Sequence, residues 1–205
     1  MGYYPELESE KFYHIYNRGI NGTRLFYQER NYRYFLEKYA YHCADVMDTF
    51  AYCLLGNHFH LLVRIKSEAA RTQERYKPSP KGKYIVLDPS KQIAKWCGGY
   101  AQAINKQEGR TGDLFEEPFD RILVDNEDYL NNLIEYIHKN PVKHGFTEDF
   151  TSYPYSSYES YLSERPTRLP REQVLEGFGD REKYKGFHAQ TWDWREIERY
   201  IIEWD

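Results

Sequence analysis

The sequence predicts an α+β fold: a ferredoxin-like split βαβ core with a four-stranded antiparallel sheet, followed by a C-terminal helical extension. Three observations carry this. Four short strand-like stretches punctuate residues 12–125. Two helical stretches separate them in the order β-α-β-β-α-β. Beyond them the pattern turns to helices and proline-broken turns.

In order, FYHIYNR (12–18) alternates apolar and polar and stops at Gly19, as a strand does. From Asn31, the residues Tyr32, Phe35, Leu36, Tyr39, Ala40 and Cys43 recur at helical spacing. TFAYCLL (49–55) is β-rich, and Gly56-Asn57 reads as a two-residue hairpin turn with glycine at its first position. HFHLLVRI (58–65) is the returning strand, and residues 67–90, rich in Lys, Pro, Ser and Gly, read as a long loop. A helix follows over roughly 91–107, with Gly98-Gly99 as a weak or close-packed spot. FDRILVD (119–125) is the fourth strand. Asn126 can cap the next helix, EDYLNNLIEYIHKN, which Pro141 is expected to stop. The order places helices on one face of the sheet. After about residue 146 come short helices, including REQVLEGFG and a last one ending in IERYIIEW. The chain therefore divides into a core, 1–146, and an extension, 147–205.

The 205 residues suit one domain with a small addition, and 40% hydrophobic content suffices for a core. With 21 tyrosines, no single tyrosine is informative alone, although so aromatic a chain suits stacking on single-stranded nucleic acid. Cys43, Cys53 and Cys97 form no CxxC pair and sit in apolar contexts, as buried free thiols in a reducing compartment do. No stretch resembles a signal peptide or approaches the ~20 apolar residues of a membrane span, so a soluble, cytoplasmic protein with no membrane partner is expected. The net charge is −4, yet residues 64–110 hold 11 basic and 4 acidic residues. That asymmetry can form a basic face on an acidic protein.

The stretch GNHFHLLVR (56–64) carries the first chemical signal. On a strand His58, His60, Leu62 and Arg64 share one face. Two residues of strand rise about 6.6–6.8 Å, a spacing from which two imidazoles can tilt toward one ion; two hydrogen-bonded strand histidines would give the same pattern. The second signal is LIEYIHKNPV (133–142). Leu130, Leu133, Ile134 and Ile137 define the buried stripe of a helix. Tyr136 and Asn140 lie together on one flank at i and i+4, and His138 lies on the other.

These stretches, with HIYNRG near the start and GRTGDLF followed by FDRI, resemble the ordered motifs of the single-tyrosine transposases of the HUH superfamily. Within it the branch of REP-associated tyrosine transposases is the most similar. The resemblance covers residues 12–146, and YPYSSYESYL (153–162) extends it. The chain has Leu55-Gly56 where relatives often carry Met-Pro, a departure in the turn that leaves the histidines intact.

The resemblance implies that 1–146 is a catalytic domain that nicks and rejoins single-stranded DNA with hairpin ends. Tyr136 would be the nucleophile; His58, His60 and Asn140 would hold a divalent metal, Mg or Mn. It also implies a 5′-phosphotyrosine intermediate and a free 3′-hydroxyl. Arg18, Arg64, Lys91, Lys95, Lys106, Arg110 and Arg121 are candidate DNA contacts. Phe115, Trp96 and Tyr100 are candidate stacking residues that suit a core as well. Relatives include obligate dimers and monomers, which leaves a homodimer open. Two other readings stand beside the transposase: a domesticated DNA-hairpin binder without strand transfer, and a metal-dependent hydrolase using the same His pair.

Overall fold

The computed structural model describes residues 6–73, 85–116, 119–190 and 195–201. Strand β1 (Phe12–Arg18), helix α1 (Glu29–Cys43), strands β2 (Met47–Leu55) and β3 (His58–Ile65), helix α2 (Pro89–Glu108) and strand β4 (Asp120–Val124) follow in the expected order. The strands pair antiparallel in the spatial order β2-β3-β1-β4, the split βαβ arrangement. The stretch expected as a long loop contains a one-turn helix, Glu68–Arg71, and a small ribbon of Thr72–Gln73 with Ile85–Val86. Its middle, 74–84, lies outside the described residues. No helix among the described residues is long and apolar enough to cross a membrane.

Strand alternation sorts the side chains into two cores. Tyr13, Ile15, Phe59, Leu61 and Val63 face α1 and α2, where Phe35, Tyr39, Trp96 and Tyr100 fill the space. Trp96 Nε1 donates to Phe35 O (3.1 Å) and Tyr100 Oη to Leu25 O (2.7 Å), so both polar tips are satisfied. Trp96, Tyr100 and Phe115 are thus core residues and present no stacking surface.

The opposite face of the sheet is covered too, where the order of elements had suggested helices on one face only. Helix α3 (Leu130–Lys143) packs chiefly on β2 and β3 and joins Leu133, Ile134 and Ile137 to a second cluster with Phe50, Leu55 and Leu62. Helices α4 (Tyr158–Leu162), α5 (Arg171–Phe178) and α6 (Arg181–His188) add Tyr158, Tyr161, Val174 and Tyr184 to this second core. The reason is visible in β3, which is buried along nearly its whole length, as a strand between two layers must be. The last helix read from sequence is a 3₁₀ turn, Arg195–Tyr200, and residues 202–205 lie outside the described part.

Three local expectations change. The β2–β3 hairpin forms, but neither Gly56 nor Asn57 has positive φ. Glycine serves close approach instead: a Cβ at Gly56 would lie 3.0 Å from the Phe146 ring, and the Gly56 carbonyl accepts from Leu25 N at 2.8 Å. Helix α3 also continues through Pro141. Its stop is Gly145 at φ 69°, with Phe146 N donating to Pro141 O (2.8 Å) and Gly145 N to Val142 O (3.1 Å), a Schellman closure. Cys97 is half-buried, whereas Cys43 and Cys53 are buried, and all three are free thiols.

Gly98 and Gly99 are not close-packed, since a Cβ at either meets nothing within 4 Å. Gly98→Ala should therefore raise the unfolding free energy by about 0.5–1 kcal/mol. A Cβ at Gly19 would sit 1.9 Å from the Thr23 carbonyl oxygen. Gly19→Ala should cost about 1–3 kcal/mol through backbone displacement. Denaturant midpoints at constant slope check both.

Candidate metal and tyrosine site

Antiparallel pairing of β1 with β3 sets Arg18 opposite His58, Tyr16 opposite His60 and His14 opposite Leu62. All project to the face that α3 crosses. His58 and His60 stand with ring centroids 5.2 Å apart and planes at 90°. From α3, the Tyr136 ring lies 6.1 Å from His60 and 6.2 Å from His14. His144, at the end of the same helix, sets its ring 4.7 Å from His58. The sequence-predicted His58, His60 and Tyr136 thus come together, and Asn140 lies on the helix flank between Tyr136 and His144. His14 and His144 join them unannounced, although His14 opens the HIYNRG motif and His144 follows Asn140 at i+4.

Local hydrogen bonds orient the donor atoms. Asn140 Nδ2 donates to Tyr136 O at 2.8 Å, which leaves the amide oxygen turned the other way. That Oδ1 is buried and makes no hydrogen bond among the described residues. His58 Nδ1 lies 2.8 Å from Asn57 Oδ1, an acceptor, so Nδ1 carries the proton and Nε2 keeps its lone pair. Burial, aided by the nearby His144 and Arg18, lowers the His58 pKa to about 3. Burial lowers His60 well below the usual range, with His14 and His58 adding to it. Both rings are neutral at pH 7, the form that binds metal.

Two neutral imidazoles and a buried amide oxygen are a suitable donor set for a divalent cation. No group of three or more His, Cys, Asp or Glu that could hold a metal ion occurs among the described residues. Tyr136 is fully buried beside this set.

The candidate DNA contacts scatter. Arg18 adjoins His58 and pairs with Glu116 at 2.7 Å. Arg64 shares the face at the far end of β3, 3.4 Å from Asp48 and stacked over Phe12 and Phe50. Arg121 points to the opposite face and donates to Ser90 Oγ at 3.0 Å. Lys91 and Lys95 are exposed on α2, and Lys106 and Arg110 lie at its C-terminal end. Of the described basic residues of this segment, Lys91, Lys95, Lys106 and Arg110 lie on or just beyond α2, across the sheet from Tyr136.

His138 does lie on the other flank, fully buried. Its Nδ1 is 3.0 Å from His188 Nε2 and its Nε2 is 2.7 Å from Ser157 Oγ, while His188 Nδ1 is bonded to Tyr184 O at 2.8 Å. Beside it Lys139 Nζ meets Glu135 at 2.7 Å in a buried pair. Burial lowers the His188 pKa to about 4 and pushes His138 well down. An unfolded histidine takes up a proton near pH ~6.5. Below that the unfolded chain binds more protons, so stability is full above about pH 6.5 and declines toward pH 4. Denaturation midpoints measured across this window should fall with pH, and His188→Gln should flatten part of the slope.

No family model matches the chain. A putative REP-associated tyrosine transposase from Haemophilus influenzae is 30% identical over 111 residues, 54% of this chain and 58% of that protein. The match thus spans little more than half of the curated relative. A solved structure described as a REP-associated tyrosine transposase bound to a REP hairpin aligns with a TM-score of 0.60 at 16% identity. It covers 81% of this chain and 88% of that one. Across that stretch the chain is similar in sequence to the Haemophilus influenzae protein, and across most of its length it shares the fold of the solved structure.

Proposed function

We propose that this chain is a transposase that nicks and rejoins single-stranded DNA at hairpin-forming ends, with Tyr136 as nucleophile. The observation that carries the reading is the approach of the Tyr136 ring to the His58–His60 pair, with Asn140 one turn further along the same helix flank. A divalent cation, Mg or Mn, held by His58 Nε2, His60 Nε2 and Asn140 Oδ1 would offset charge on a non-bridging phosphate oxygen.

The remaining chemistry belongs to the chain. The Tyr136 phenol oxygen attacks phosphorus, loses its proton, and displaces the 3′ oxygen of the preceding nucleotide. A 5′-phosphotyrosine bond forms as the phosphodiester breaks, and the new 3′ end takes up a proton. A second 3′-hydroxyl reverses the step without ATP, because the covalent link conserves the bond energy. Only about a thousandth of a free phenol with pKa ~10 is ionised at neutral pH, so positioning by the rigid helix matters. Arg18, beside His58, is the best-placed of the basic residues to hold a phosphate at the site. Tyr136 is fully enclosed, so a DNA phosphate reaches it only after α3 or a covering segment shifts. That same enclosure favours the second reading, a domesticated hairpin binder without strand transfer.

A 3′-labelled oligonucleotide with a hairpin and a single-stranded flank separates the two. The transposase reading expects a covalent protein–DNA adduct with Mn or Mg, lost with EDTA and lost in Tyr136→Phe. An adduct that survives Tyr136→Phe contradicts the assigned nucleophile. A gel shift with no adduct in any metal supports the binder.

A further inference from the structure

We propose that His14 is a positioning residue: it fixes the tautomer of His60 and thereby keeps His60 Nε2 open as a donor toward the cation. This rests on the reading of His58, His60 and Asn140 as ligands. The chain of bonds admits one proton arrangement. The Tyr200 carbonyl oxygen, an acceptor only, lies 2.6 Å from His14 Nδ1, so that nitrogen carries the proton. His14 is completely buried and neutral, which leaves a lone pair on its Nε2. His60 Nδ1 lies 3.0 Å from that lone pair and must donate to it, since two bare lone pairs would repel at this distance. A neutral imidazole carries one proton, so His60 Nε2 is left bare.

The two rings lie nearly parallel, 28° apart with centroids at 5.1 Å, which holds the bond in line. His58 is set in the same sense by Asn57, and the Asn140 amide by the Tyr136 carbonyl. Each of the three donors is therefore oriented by a different neighbour. His14 is the neighbour that the sequence motifs did not assign. A histidine placed only to fill the core would be replaceable by any side chain of similar volume. One placed to accept from His60 is replaceable only by another acceptor at the same point. Without it, His60 can adopt the tautomer with Nε2 protonated, which cannot ligate through that atom.

Two substitutions separate these roles. His14→Asn keeps a donor for the Tyr200 carbonyl but is too short to accept from His60. His14→Gln can place its amide oxygen where Nε2 stood. Long-range ¹H–¹⁵N spectra of the metal-free protein report the His60 tautomer, and calorimetric titration with Mn²⁺ reports affinity. The expected result is the Nδ1-protonated form in the parent chain, loss of that preference in His14→Asn, and Mn²⁺ binding weakened about 10- to 100-fold. His14→Gln should recover most of the affinity. A parent His60 protonated on Nε2, or unchanged Mn²⁺ affinity in a folded His14→Asn, overturns the proposal. If His14→Asn does not fold, the parent spectrum and the His14→Gln affinity decide: Nε2 protonation, or a His14→Gln loss as large as 100-fold, overturns it. The ligand reading fails separately: His60→Ala would then bind Mn²⁺ as the parent does, which also removes His14 from any metal role while its hydrogen bond to His60 stays visible in the spectrum.

Discussion

The packing of α3 across the histidine-bearing face of the sheet is the contact on which the site depends. Leu133, Ile134 and Ile137 bury in one cluster with Phe50, Leu55 and Leu62 of β2 and β3, and burial of each such side chain is worth about 1.5–3 kcal/mol. That stripe fixes the rotation of the helix about its axis. Once it is fixed, 3.6 residues per turn leaves Tyr136 and Asn140 no choice but the flank beside His58 and His60. The site geometry is thus a by-product of an apolar seam rather than of polar contacts reaching across space.

The opposite flank of the same helix is tied to the C-terminal extension. His138 joins Ser157 and His188, and the buried Lys139 also donates to Gln190 O at 3.1 Å beyond its pair with Glu135. A buried ion pair adds little net stability over apolar replacements, whereas losing one partner costs about 3–5 kcal/mol. Such contacts therefore specify position more than they strengthen the fold. The extension reaches the site from a second direction through the Tyr200 carbonyl on His14. Any movement that uncovers Tyr136 must work against both attachments.

Much of this was legible in the chain itself. Strand order followed from alternation, and the i, i+4 placement of Tyr136 and Asn140 from helical period. The departures have local physical causes. Pro141 looked like a stop because proline lacks an N–H, but it falls in the last turn and Gly145 ends the helix instead. Gly56 looked like a left-handed turn residue, yet the constraint on it is Phe146, ninety positions away. His14 carried no signal of its own because its role exists only where β1 and β3 pair and Tyr200 arrives from the far end. The basic run at 64–110 suggested one face, and among its described residues those carried by α2 lie across the sheet from the tyrosine.

The central claim is that one cation site is formed jointly by strand β3 and helix α3 against Tyr136. Anomalous diffraction from crystals soaked in manganese tests it most directly. The account predicts a peak within about 2.5 Å of His58 Nε2, His60 Nε2 and Asn140 Oδ1 together. A peak bound elsewhere, or one held by the imidazoles with the Asn140 amide turned away, would contradict it.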